Sequence, residues 1–226
     1  IEPKDGVFDE KVLQHYRDEL KLLIDNGIKP LVTLHHFSNP LWFEHMGGFE
    51  NKKCVFYFKR YTQKVIEAFH GLVDEYCTIN EPNIYALNGY FMKCWPPMKS
   101  SLGLTCKVLR NFGKCHIASY KLIKKYDPSI RVGFAMHLCV FEPERKHNLS
   151  DKIMCKIMNK CFQDSICKAM MWGKFSLPIG FIGCRKGVYA DFFGINYYVR
   201  NMVRGFGYHP KEGSTYNDLG WEIYPE

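Results

Sequence analysis

The chain has 226 residues and a mass of 26.5 kDa, room for about one and a half domains. Its 46% hydrophobic and 24% charged residues exclude a disordered, collagenous or coiled-coil chain, and no apolar run reaches the roughly 18 residues of a membrane span. The net charge of +8 comes from 31 Lys and Arg against 23 Asp and Glu; these cations are spread along helical segments, which argues for a solvated surface over a nucleic-acid face.

In chain order, Ile1-Glu2-Pro3-Lys4-Asp5-Gly6 has neither the basic start nor the apolar core of a signal peptide and reads as a chain cut from something longer. Val12, Leu13, Tyr16, Leu20, Leu23 and Ile24 keep helical spacing until Asn26-Gly27 supplies a stop. Lys29–His36 is an apolar, strand-like run. Val55, Phe58, Thr62, Val65, Ile66 and Phe69 predict a second helix, and Asp74–Asn80 a second strand. Val108, Phe112, Cys115, Ser119, Leu122 and Lys125 predict a third helix, halted before Asp127-Pro128. Arg131–Leu138 is the third strand. Ile153, Met154, Ile157, Met158 and Cys161 open a fourth helix that runs to Trp172-Gly173, and Ala190–Tyr198 is the fourth strand. Arg200–Glu226, with Gly205, Gly207, Pro210 and Gly213, reads as one long loop.

Alternation of this kind predicts parallel strands with right-handed crossovers, hence an α/β fold. Eight units of this size need roughly 430 residues, within reach of a (β/α)8 barrel with large loops. The chain then holds about half of such a barrel. The ten cysteines include no Cys-x-x-Cys pair, and Cys155, Cys161 and Cys167 recur at a spacing that does not stack them on one helix face. Reduced, mostly buried thiols in a cytoplasmic protein are expected. Asn148-Leu149-Ser150 fits a glycosylation sequon, read as chance without a secretion signal.

Barrel active sites lie at the C-terminal ends of the strands. The first strand ends in His35-His36-Phe37-Ser38-Asn39-Pro40 with Trp42 close behind, the second in Asn80-Glu81-Pro82-Asn83, the fourth in Asn196-Tyr197-Tyr198. The third end, His137-Leu138, is less informative. A carboxylate just past a buried strand faces a pocket, where desolvation favours the protonated form that a general acid needs. Against that stands a loop Glu81 paired with a surface cation. Asn80 offers both donor and acceptor to a sugar hydroxyl. The His35-His36 pair has three readings: metal ligand, hydrogen-bond partner of a hydroxyl, or satisfied core. Adjacent strand residues point to opposite faces, so one of the two faces the barrel centre. No ligand spacing accompanies them, so no metal is expected.

These strand ends together resemble glycoside hydrolase family one, the β-glucosidases and 6-phospho-β-glucosidases. Thr33-Leu34-His35-His36-Phe37 through Pro40 and Trp42 is similar to that family's third-strand motif, followed by Gly47-Gly48-Phe49 and Asn51. Thr78-Ile79-Asn80-Glu81-Pro82 resembles its acid/base motif, Asp191-Phe192-Phe193-Gly194-Ile195-Asn196-Tyr197-Tyr198 its sixth strand, and Gly220-Trp221-Glu222-Ile223-Tyr224-Pro225-Glu226 the approach to its seventh. The resemblance implies Glu81 as general acid/base, Asn80 and His36 on glycone hydroxyls, Tyr198 steadying the nucleophile and Asn196 lining the same pocket. Phe37 stands where the family usually carries Trp, keeping an apolar face without the indole donor.

The resemblance also implies a retaining mechanism with a second carboxylate in a Thr-Glu-Asn-Gly motif, and the sequence contains no such motif. Residues 1–226 are therefore expected to form a single incomplete barrel domain, about strands three to six, without the first two and last two. A β-linked glucoside or phosphoglucoside is the expected substrate. No cofactor, nucleic-acid or membrane partner is expected, and a second chain carrying the missing strands is one way to complete the site. Alone, the chain is expected to be inactive and poorly stable. An inactive truncated or split-gene product and a related endo-glycanase are the alternative readings.

Overall fold

Each of the four predicted apolar runs forms a strand in the computed structural model, which describes residues 1–181 and 184–225. β1 (Val32–His35), β2 (Glu75–Asn80), β3 (Arg131–Pro143) and β4 (Phe192–Arg204) lie side by side in chain order, all parallel. A fifth strand, β5 (Gly207–His209), turns back antiparallel on β4. The sheet is open, with β1 and β5 at its edges, and this α/β arrangement is that of a partial barrel.

Helices connect the strands and cover one face. α1 (Glu10–Asp25) starts where the Asp9 carboxylate accepts from the Lys11 and Val12 amides, a side-chain N-cap. α2 (Leu41–His45) and a short 3-10 turn precede α3 (Cys54–Ala68). α5 (Leu102–Tyr126) is capped by Ser101 and ends ahead of Asp127-Pro128. Along β3, Val132, Phe134 and Met136 point into this helix layer and are fully buried. Gly133, Ala135 and His137 alternate onto the other, concave face, opposite Phe192, Gly194 and Asn196 of β4. That face is lined by small groups and closes over Gly133 with the Phe192 ring. A Cβ on Gly133 would lie 2.6 Å from that ring.

His116 ties the layers together from inside α5. Its Nε2–H donates to the Tyr189 carbonyl and its Nδ1 accepts from the Thr78 hydroxyl, both at 2.7 Å. The residue is fully buried, and desolvation pushes its pKa down to about 4, so it is neutral at pH 7.

The structure departs from the sequence reading at four places. α4 (Pro82–Tyr90) was not expected; Pro82, Asn83, Tyr85, Ala86, Gly89 and Tyr90 are all buried, so the segment has no polar face to betray a helical period. The fourth predicted helix is α6 (Leu149–Asn159), a π-turn over Lys160–Asp164, and α7 (Ser165–Trp172). Asp151 and Cys155 face inward in α6, whereas Ile153 and Ile157 are exposed. Asn148, the sequon residue, caps α6 by accepting from the Asp151 amide. The third and fourth strands run on beyond Leu138 and Tyr198, to Pro143 and Arg204.

Residues 200–225 are consequently not one long loop. They begin as strand, turn at Gly205 into β5, and are then pinned by the buried Arg200–Glu222 ion pair. Arg200 Nη1 also reaches Glu142 at 3.2 Å, and its guanidinium lies 3.6 Å from the Tyr224 ring centroid. The ten cysteines are all free thiols. Among the described residues, no helix is long and apolar enough to cross a membrane.

Candidate active site

The C-terminal ends of β1 and β2 and the middle of β4 bring the expected residues together. In the β2–β3 register, Cys77 pairs with Gly133 but Asn80 pairs with Ala135, so β2 holds one extra residue. Simple alternation would put Thr78 and Asn80 on the same face. The bulge separates them: Thr78 bonds to His116 in the helix layer, and Asn80 turns onto the concave face.

Glu81 follows at once in the left-handed region, with φ 45° and ψ 59°. A non-glycine residue there stores of order 1 kcal/mol of strain, and such strain gathers at functional sites. Its amide donates to the Ala135 carbonyl at 2.9 Å, which anchors the turn to β3. Although Glu81 stands at the N-terminus of α4, its carboxylate caps no helix amide. The side chain is free to reach the concave face, where it is 6% exposed.

A chain of side-chain amides links three strands. Asn196 Nδ2 donates to Glu81 Oε1 at 2.7 Å and to Asn80 Oδ1 at 3.0 Å. Asn80 Nδ2 in turn donates to His36 Nε2 at 3.2 Å. His36, Asn80, Glu81 and Asn196 thus form one connected set. Phe37 stands at its rim with φ 70°, its ring 4.9 Å from His36 and 4.9 Å from Trp95. Tyr198 is the unpaired residue of a second bulge, between the Leu138–Tyr197 and Cys139–Val199 pairs. Its ring lies 5.0 Å from His137 and 5.4 Å from Trp221. Desolvation, and then the neighbouring charge of Glu81, raise the pKa of its hydroxyl.

The adjacent histidines part as expected. His36 joins the amide chain, while His35 is buried among Phe49, Phe58, Tyr85 and Phe112. Its Nε2 meets Asn39 Oδ1 at 3.2 Å, and burial drives its pKa down to about 4. Each histidine therefore commits a ring nitrogen to an asparagine, and among the described residues no three His, Cys, Asp or Glu side chains gather at metal-binding distance.

Three residues at the site were given no role by the sequence: His137 and Trp221 were named only in passing, and Trp95 not at all. His137 lies directly across from Asn196 in the sheet register, with Nδ1 3.8 Å from Glu81 Oε1. Trp95 backs Phe37, and Trp221 is brought over Tyr198 by the segment that Arg200 and Glu222 pin down. The available signal for His137 was its place in β3: residues 133, 135 and 137 share a face, so a histidine at the end of that series faces the same centre as Asn80 and Asn196.

Chemically, the site presents one buried carboxyl beside two amides and an imidazole, walled by aromatic rings. Such a surface suits a sugar: amides for hydroxyls, rings for the apolar C–H face, and a carboxyl able to give and take one proton.

Known proteins are similar to this chain in sequence and fold. The model of the family described as glycosyl hydrolase family 1 matches residues 2–177. The chloroplastic galactolipid galactosyltransferase of Arabidopsis thaliana is 28% identical over 245 residues, covering 100% of this chain and 36% of its own. Beta-glucosidase A of Acetivibrio thermocellus is 24% identical, covering 98% of this chain and 54% of its own. Among solved structures, a β-glycosidase from Pyrococcus horikoshii superposes with a TM-score of 0.90 at 30% identity, covering 99% of this chain and 54% of that one. A β-glucosidase from Exiguobacterium marinum, at 21% identity, shares the fold with a TM-score of 0.89. The chain spans about half the length of the glucosidases it matches and about a third of the galactosyltransferase.

Proposed function

The chain belongs to glycosyl hydrolase family 1, and from that premise we propose that it carries the acid/base half of a retaining β-glycosidase site, with Glu81 as the proton donor. Retaining hydrolysis uses two carboxyl groups about 5–5.5 Å apart. In the first step Glu81 gives its proton to the glycosidic oxygen while the second carboxylate attacks the anomeric carbon and the aglycone leaves as an alcohol. In the second step ionised Glu81 takes a proton from water, whose oxygen displaces the enzyme carboxylate and frees the sugar. Asn80 and His36 hold glycone hydroxyls, Asn196 orients the Glu81 carboxyl, and Tyr198 steadies the second carboxylate. Phe37 supplies an apolar wall to the sugar, and Trp221 an aromatic platform for the leaving group. The substrate class is a β-linked glucoside, plain or 6-phosphorylated. No metal or cofactor takes part.

The observation that carries this reading is the Glu81 carboxyl itself, buried, left uncommitted by its helix, and bonded to Asn196 beside Asn80. The second carboxylate comes from outside these 226 residues, supplied by a longer form of the protein or by a second chain. The galactosyltransferase relative favours one further reading, in which a sugar hydroxyl in place of water ends the second step. The test is a comparison of aryl β-glucoside turnover by this chain alone and by the chain joined to a family segment bearing Thr-Glu-Asn-Gly. No turnover alone, and turnover on joining that falls at least about 100-fold with Glu81→Gln, is expected. Turnover by the chain alone that Glu81→Gln abolishes would overturn the half-site account.

A further inference from the structure

Among the described residues, His137 is a titratable side chain that the concave face brings close to the Glu81 carboxyl without the proposed reaction giving it a task. Its Nδ1 lies 3.8 Å from Glu81 Oε1, with both side chains shielded from solvent. The imidazole is held from several sides. The Phe162 ring of the π-turn stands edge-on at 5.7 Å, and the Tyr198 ring leans over it at 5.0 Å. The main chain around it is fixed as well. Asn83 Nδ2 donates to the His137 carbonyl at 2.8 Å, and Gln163 brackets Cys139 by accepting from its amide and donating to its carbonyl. This last contact lies beside the β3–β4 bulge between Leu138 and Cys139, and Gln163 belongs to the π-turn. A π-turn of this kind, inserted between two helices, often marks a functional site.

We propose that His137 is a positioning residue for Glu81, its imidazole charge acting on the carboxyl across the 3.8 Å between Nδ1 and Oε1 and so setting how readily Glu81 gives up its proton. A protonated imidazole at this distance favours the carboxylate form of Glu81, and a neutral one leaves the carboxylic acid without that opposing charge. The carboxylic acid is the form a general acid needs. Burial lowers the affinity of His137 for its proton, with the Glu81 charge as the smaller, opposing effect. The other titratable groups facing the pair do not compete. Tyr198 is raised above its ordinary range, Cys139 is pushed up to about 12 by burial, and His36 reaches Glu81 only through Asn80 and Asn196.

The proposal deepens the reading of Glu81 as acid/base, but its test does not depend on turnover. The Glu81 carboxyl and His137 ring would be followed by NMR across pH 3–8 in wild type, His137→Asn and Glu81→Gln. Groups at this distance shift one another by about one pKa unit or more, and the coupling is reciprocal. The expected result is a two-step Glu81 curve in wild type whose first step lies about one unit below the single step in His137→Asn, with His137 falling by the same amount in Glu81→Gln. A Glu81 curve that is unchanged in His137→Asn, with His137 unmoved in Glu81→Gln, overturns the proposal. If His137→Asn fails to fold, the His137 curve in Glu81→Gln decides alone. Coupling without turnover in the joined protein would count against the glycosidase reading, and turnover without coupling against the proposal.

Discussion

Lowering the pH from 7 to 5.5 is expected to cost the folded chain about 1 kcal/mol at each of His35 and His116. Both imidazoles are buried, and burial takes each from its ordinary 6.5 to about 4. A depressed basic group stabilises the fold above its unfolded pKa, and that stability is lost as pH falls toward its folded pKa. The unfolded chain therefore takes up these protons first, and stability falls with pH throughout this window. At 1.36 kcal/mol per unit the full window is worth about 3 kcal/mol for each histidine. His137, also depressed by burial, adds to the loss, while the exposed His209, raised by its Pro210 and Glu144 contacts, opposes it weakly. Asp191, Glu222 and Glu75 are held below their ordinary range, Asp191 against burial by Lys124 and the Val132 amide, the other two chiefly by cations, so they titrate below the window. Denaturant midpoints at half-unit pH steps would read the slope, and His35→Gln and His116→Gln should each remove about 1 kcal/mol of the loss. A double variant that keeps the parent's slope would refute the reasoning.

Glu81→Asn places in the left-handed position a residue that tolerates it, so stability should rise by up to about 1 kcal/mol while any glycosidase activity disappears; a fall in the unfolding midpoint would argue that the strain is not there. Gly133→Ala would drive a Cβ to 2.5 Å from the Phe192 carbonyl oxygen, and overpacking against backbone should cost about 2 kcal/mol or more. An unchanged midpoint would mean that β4 slides freely on β3. Arg200→Met leaves Glu222 buried without its cation, expected to cost about 3 kcal/mol and to release Trp221 from Tyr198, read as a red shift in tryptophan emission. Parent-like emission would disconnect the ion pair from the site.

The strands were legible because short β-branched and aromatic runs ending in polar groups have few other uses. Glu81, Asn80, Asn196 and His36 could be named because each stands at such an end. Geometry that depends on register was hidden: nothing in Thr78-Ile79-Asn80 announces the bulge that sends Thr78 outward and Asn80 inward. α4 was hidden for the opposite reason, since burial on all sides erases the amphipathic signal. The 200–225 segment misled because Gly205 marks a hairpin turn and Gly207 opens a strand, and the pairing of Arg200 with Glu222 spans a distance that no local pattern reveals. His137 looked like an ordinary strand histidine until the β3–β4 pairing set it opposite Asn196.

The central claim is that Glu81 both gives and takes the proton at the sugar. The most direct measurement is azide rescue of Glu81→Ala in the protein that also supplies the second carboxylate, with a dinitrophenyl β-glucoside as substrate. That leaving group needs no proton, so the first step should proceed and the second should stall for want of a base. Azide, a nucleophile that needs no base, should enter the space left by the carboxylate and restore turnover at least about 100-fold, with β-glucosyl azide as the product. Turnover that azide leaves unchanged, or an α-configured azide product, would contradict the account.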